Sequence, residues 1–167
     1  MSAFLYRMPS GIPGALSRVG APATVEPNVI LTTNPPTAYG NPVAVDAATG
    51  HVRPIIGGDT AASVYGFLVR PFPAESGTNA LGTATPPTSG GCDVAKLGYM
   101  TVKVTNGTPA KNGAVYIRTV LNGAIPAGLV GDIEAVADGT NTFVLPGAYF
   151  TGAADANGNS EIAFNLI

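Results

Sequence analysis

A single histidine, His51, limits the chemistry open to this chain. Any serine or cysteine relay would have to use it, and its neighbours Gly50 and Val52 carry no nucleophile. His51 is read as a turn or strand residue. Cys92 is the only cysteine, so neither an intrachain disulfide framework nor a thiolate metal cluster can form, and a structural thiol is expected. Asp132, Glu134 and Asp138 lie close in sequence, whereas a glycosidase needs two acids set across a cleft. They are read as solvated or interfacial acids. Asp155, Asn157, Asn159 and Glu161 alternate as the oxygen ligands of a calcium loop would. The EF-hand pattern, however, asks for Gly and Glu where this chain has Ser160 and Leu166. Asn157-Gly158 instead signals a tight turn, with a structural divalent-ion site at Asp155, Asn157 and Asn159 as the alternative. Gly57-Gly58 lacks the Lys-Thr or Lys-Ser of a phosphate loop, and no cofactor is expected.

Arg7, Arg18, Arg53, Arg70 and Arg118 are scattered singly and form no basic stripe, which argues against nucleic acid as a partner. Each guanidinium is suited to a bidentate carboxylate contact, and Arg70 and Arg118, in or at the end of the best strands, are the first choices. The chain carries 8 basic and 10 acidic residues, 11% charged in all, where roughly 25% is usual. Such a surface fits a life against other protein, or else solubility through Thr, Asn, Ser and Gly. Glycine and proline (22 and 15) are abundant, yet the 46% hydrophobic fraction and low charge argue against disorder.

Positioning must come from β structure. Tyr99 to Val104 alternates, with Met100, Val102 and Val104 facing a core and Tyr99, Thr101 and Lys103 outward. Gly113 to Val120 is a second β-branched run, and the loop Thr105 to Asn112 predicts a hairpin between them. Ser63 to Arg70 reads as a strand covered on both faces, hence central or beneath an interface. Ile162, Phe164 and Leu166 share one face of a last strand, and Thr142 to Leu145 form another, followed by Pro146-Gly147. No segment has a convincing helical period. The expectation is an all-β domain of 8 to 10 short strands, a single β-sandwich or partly closed β-barrel with an extended Pro/Gly-rich N-terminal arm. Residues 1–42 would be the arm and peripheral strands, wrapping their own domain or reaching a neighbour. Residues 43–167 would be the β domain, with a long loop at 71–93. Met1 to Leu16 lacks the apolar segment of a signal peptide and no 18-residue apolar run occurs, so synthesis in the cytosol without membrane insertion is expected.

Met8-Pro9-Ser10-Gly11-Ile12-Pro13-Gly14 with Ser17-Arg18, Tyr65-Gly66-Phe67-Leu68-Val69-Arg70-Pro71 and Leu97-Gly98-Tyr99-Met100 recur with Gly113 to Arg118, Ala137 to Asn141, and Phe150 to Asn165. As a set they resemble tailed-phage structural cement, or capsid decoration, proteins. The resemblance implies a non-enzymatic protein of the virion, made in the host cytoplasm. That protein would bind the outer surface of the expanded head and clamp major capsid subunits, with neighbouring copies of itself as dimer or trimer partners and with no nucleic acid or membrane partner. Capsid or subunit contacts are assigned to Arg7, Arg18, Arg70, Arg118, Tyr65 and Phe67. The alternative is a receptor- or carbohydrate-binding β module of a phage fibre or baseplate, using exposed rings such as Tyr39, Tyr65 or Tyr149.

Overall fold

A computed structural model describes residues 11–18, 20–71 and 84–167. Nine strands follow in chain order: β1 (Thr24–Val29), β2 (Pro42–Val45), β3 (Val52–Pro54), β4 (Gly66–Leu68) and β5 (Gly91–Asn106), then β6 (Ala114–Arg118), β7 (Ile133–Glu134), β8 (Thr142–Phe150) and β9 (Asn159–Asn165). The fold is all-β, with 3-10 turns at Ala61–Ser63 and Gly139–Asn141 as its only helical pieces among the described residues.

Sixteen-residue β5 is the spine. Its first half pairs with β1 and β4, and its second half with β9 and, in parallel, with β7. Pairing then runs β5-β7-β6-β8-β9 and returns to β5, which closes a ring. On the other side β4, β2 and β3 extend the sheet, and an isolated bridge between Ile30 and Val52 brings the end of β1 back to β3. The result is a partly closed, sandwich-like arrangement and not a true barrel. Ring closure removes sheet edges that would otherwise invite aggregation.

Apolar side chains fill this arrangement in two clusters. Met100, Val102, Ile117, Ile133, Phe150, Ile162 and Phe164 belong to the larger one, and Val43, Val52, Leu68 and Val94 to the smaller. Phe67 is fully buried, its ring 4.8 Å from that of Phe164; burial of a side chain this size contributes about 1.5–3 kcal/mol. β4 is buried throughout between β2 and β5, the central position its two-faced apolar pattern calls for.

Three expectations change. Tyr99–Val104 and Gly113–Val120 are not a hairpin, because β7 lies between β5 and β6 and bonds to both. Thr101 does not face solvent. The segment Gly14–Ser17 lies along β5 through Gly14 N–H to Thr101 O (2.8 Å), Thr101 N–H to Ala15 O (3.0 Å) and Ser17 N–H to Tyr99 O (3.0 Å). A Cβ on Gly11 would stand 3.0 Å from Thr101 Oγ1, so the arm also covers the side chain. Finally, the strand begun at Thr142 does not stop at Leu145. β8 runs on through an irregularity in its pairing with β6 and reaches β9 at Ala148–Phe150.

Candidate functional site

Arg118 is the last residue of β6, and its side chain is fully buried. Nε donates to Glu134 Oε1, and Nη1 donates to Asp138 Oδ2 and Val120 O, both at 2.9 Å. Glu134, also fully buried, accepts from Asn106 Nδ2 at 3.0 Å. Asp138 accepts from Asn122 Nδ2 (2.9 Å) and Asn141 Nδ2 (3.2 Å), and these amides with Arg118 hold its carboxyl below the usual carboxylate range. Two of the three acids read as solvated or interfacial are thus the internal counter-charges of Arg118. Asp132, the third, accepts from Leu129 N–H and Asn41 Nδ2, and burial chiefly pushes its carboxyl up. The signal for this network lay in the sequence, since a cation in a strand core requires a carboxylate. Its partner could not be read there because β7 reaches β6 by a long return.

Arg18 lies at the opposite end of β8 from this network. Thr142 pairs with Arg118, while Tyr149 pairs with Ala114 and Ala163, seven residues or roughly 23 Å along the strand. Here Arg18 donates to Glu161, with Nη2 2.6 Å from Oε2, and its guanidinium stacks 3.9 Å from the centroid of Tyr99. Ser17 Oγ and Thr151 Oγ1 donate to the same carboxylate at 2.7 and 2.6 Å. Burial alone would raise Glu161, but these donors and Arg18 outweigh it and hold the carboxyl at about 2. Beside this latch runs an open groove of about 270 Å³. Tyr99, Tyr149 and Pro22 line it together with the small residues Gly98, Gly147 and Ala163. Tyr149 is 43% exposed. Tyrosines lining a small apolar recess, with an arginine stacked on one of them, are residue types that dominate binding energy at protein interfaces.

The other assigned contact residues fall elsewhere. Arg70 donates to Pro13 O (3.0 Å) and stacks over Tyr39, holding the segment around Pro13 beside a wide cleft. Half-buried Tyr65 donates to Glu26, and Lys96 lies 4.5 Å over its ring. Phe67 and Arg118 are interior, so burial keeps both from the surface of this chain, and Arg7 lies outside the described residues. Asp155 Oδ1 accepts from the N–H groups of Asn157 and Asn159 (2.8 and 2.9 Å) and its Oδ2 from Asn159 Nδ2, so this carboxylate organises the turn. Among the described residues no His, Cys, Asp and Glu group is placed to hold a metal ion. Cys92 is half-buried, and burial pushes its thiol up, which makes it a poorer nucleophile.

The family model described as XM1 gp53 minor capsid protein matches residues 1–164. Among solved structures, a chain from "The capsid of Myoviridae Phage XM1" superposes with a TM-score of 0.64 at 20% identity, covering 99% of this chain and 97% of that one. At such identity the likeness establishes a shared fold. No curated protein sequence matches.

Proposed function

This chain belongs to the XM1 gp53 minor capsid protein family, and from that premise we propose that it cements an expanded phage head, binding the outer surface and clamping neighbouring major capsid subunits. Family membership places it among capsid structural proteins and not among enzymes. The observation that carries the contact reading is the groove lined by Tyr99 and Tyr149, with the exposed Arg18 guanidinium stacked on the Tyr99 ring beside it. Arg18 is already oriented by Glu161, so docking loses little side-chain freedom, and a preordered rim favours affinity. The arm supplies Arg18 and Pro22 and is itself pinned along β5, which ties the groove to the rigid body of the domain. Clamping gains from avidity, because each contact after the first is effectively intramolecular.

Co-sedimentation with expanded heads lacking the protein, against unexpanded heads, tests this function. Saturable binding at a fixed ratio to the major capsid protein, selective for expanded heads, is expected. Equal binding to both, or none at micromolar concentrations, would contradict it. Two tyrosines flanking a groove also fit a sugar ring, the second reading. Selective retention on a glycan array, with no head binding, would favour that reading.

A further inference from the structure

A second cleft, of about 750 Å³, opens where the arm meets the sheet, with room for several side chains. Gly11, Ile12 and Pro13 of the arm line it, and so does Asp132, the residue before β7. The topology explains why they meet. The arm lies antiparallel to β5, with a bridge between Leu16 and Met100 and Gly14 N–H bonded to Thr101 O, so each residue back from Leu16 lies further along β5. Three residues beyond Thr101, Val104 pairs with Ile133 of β7, which Asp132 directly precedes. The course of the arm therefore leads toward Asp132.

Four charged side chains among the described residues line this cleft, and three are engaged away from Asp132. Arg70 donates to Pro13 O and stacks over Tyr39, Lys103 donates to Asn157 O, and Asp155 accepts from its own turn. Asp132 accepts from Leu129 N–H (2.9 Å) and Asn41 Nδ2 (3.3 Å), both neutral donors, and none of the ion pairs among the described residues includes it. Burial and nearby Glu134 both push its carboxyl up, as expected of a carboxylate short of positive charge. A cation in the cleft would supply that charge.

Charge and reach select the occupant. Two stretches outside the described residues adjoin residues that line the cleft. Residues 72–83, next to Ala84, carry one charged side chain, Glu75, which would add to the repulsion. Residues 1–10, next to Gly11, also carry one, Arg7, which has the sign Asp132 lacks. Four residues lead from Arg7 to Gly11, a reach of roughly 13 Å when extended, and the tether makes such a pairing intramolecular. We propose that residues 1–10 of the same chain occupy this cleft, with the Arg7 guanidinium as the counter-ion of Asp132. The cleft shares no lining residue with the Tyr99–Tyr149 groove, so the proposal stands whether or not that groove binds a capsid.

Two measurements on the full chain test it. Arg7→Lys keeps the charge and adds an amine that carbodiimide joins to a carboxylate in contact with it. The expected product is monomer-sized, and its peptide map links residue 7 to Asp132. Titration of the side-chain carboxyls by carbon-13 NMR, wild type against Arg7→Gln, reads the same pairing without a cross-link. Loss of the guanidinium raises the pKa of Asp132 by about 1 or more, the effect of removing an opposite charge in contact, and leaves Asp155 unmoved. Circular dichroism checks that both variants fold. Absence of any link, linkage of residue 7 to another carboxylate, a link to Asp132 found only in dimer-sized product, or an Asp132 titration unmoved by Arg7→Gln would each overturn the proposal.

Discussion

Removing the Arg118 guanidinium would leave the Glu134 carboxylate fully buried without its counter-charge. Arg118→Met is therefore expected to destabilise the fold by about 3–5 kcal/mol, the usual cost of breaking a buried pair from one side, seen as a lower urea midpoint with little change in slope. A loss below about 1 kcal/mol would mean that the pair is solvated in solution. Glu161 gives a pH signature. Its carboxyl sits at about 2 in the folded chain against an ordinary 4.5, so the folded state binds fewer protons. Its stabilising contribution is complete above about 4.5 and is lost as pH falls through about 2. Glu161→Gln should flatten the acid limb of a stability–pH curve over that interval. An unchanged limb would show that Arg18, Ser17 and Thr151 do not hold the carboxylate. At this scale the sequence showed which side chains want carboxylates, but not which carboxylates. Arg18 and Glu161 are far apart in the chain, and only the closure of β9 onto β5 makes them neighbours.

Alternation along β5 and β9 was legible because a sheet with one buried face repeats every two residues; Met100, Val102, Ile162 and Phe164 are all interior. The hairpin expectation failed at an element too short to announce itself. Ile133–Glu134 has two residues, no measurable period, and a buried acid at its second position. Thr101 misled for a related reason: its polar side chain marks an outer face, and nothing local says that Gly11 and Gly14–Ser17 will lie over it. Gly14 shows how closely that arm is fitted. It adopts φ +86, and a Cβ there would lie 2.6 Å from Tyr39 Cβ and 3.1 Å from Arg70 Cβ. Gly14→Ala is expected to cost about 1–3 kcal/mol through overpacking and strain, with faster amide exchange at Thr101, whose N–H bonds Ala15 O, as the local readout. Wild-type exchange there would separate the arm from β5. Deleting the arm would be a poorer test of capsid binding, since it uncovers Thr101 and removes Arg18 together.

Across the whole molecule, low charge, a closed ring of strands and a groove lined by Pro22 and the sheet fit a capsid structural protein. Composition pointed to a surface held against other protein, and the groove is where we propose that contact. Tyr99 and Tyr149 come from different strands, and their groove exists only where β8 and β9 close the ring beside β5. Arg18 was legible as a guanidinium suited to a carboxylate, which Glu161 supplies; the tyrosine it stacks on was read merely as an outward side chain. The measurement that tests the account most directly is the affinity of the wild type, Tyr149→Ala and Arg18→Ala for expanded heads lacking the protein. Each truncation is predicted to weaken binding at least tenfold, about 1.4 kcal/mol or more on the scale of interface anchors, while the urea midpoint of Tyr149→Ala stays near wild type. Wild-type affinity in both folded variants would contradict the claim that this groove grips the capsid.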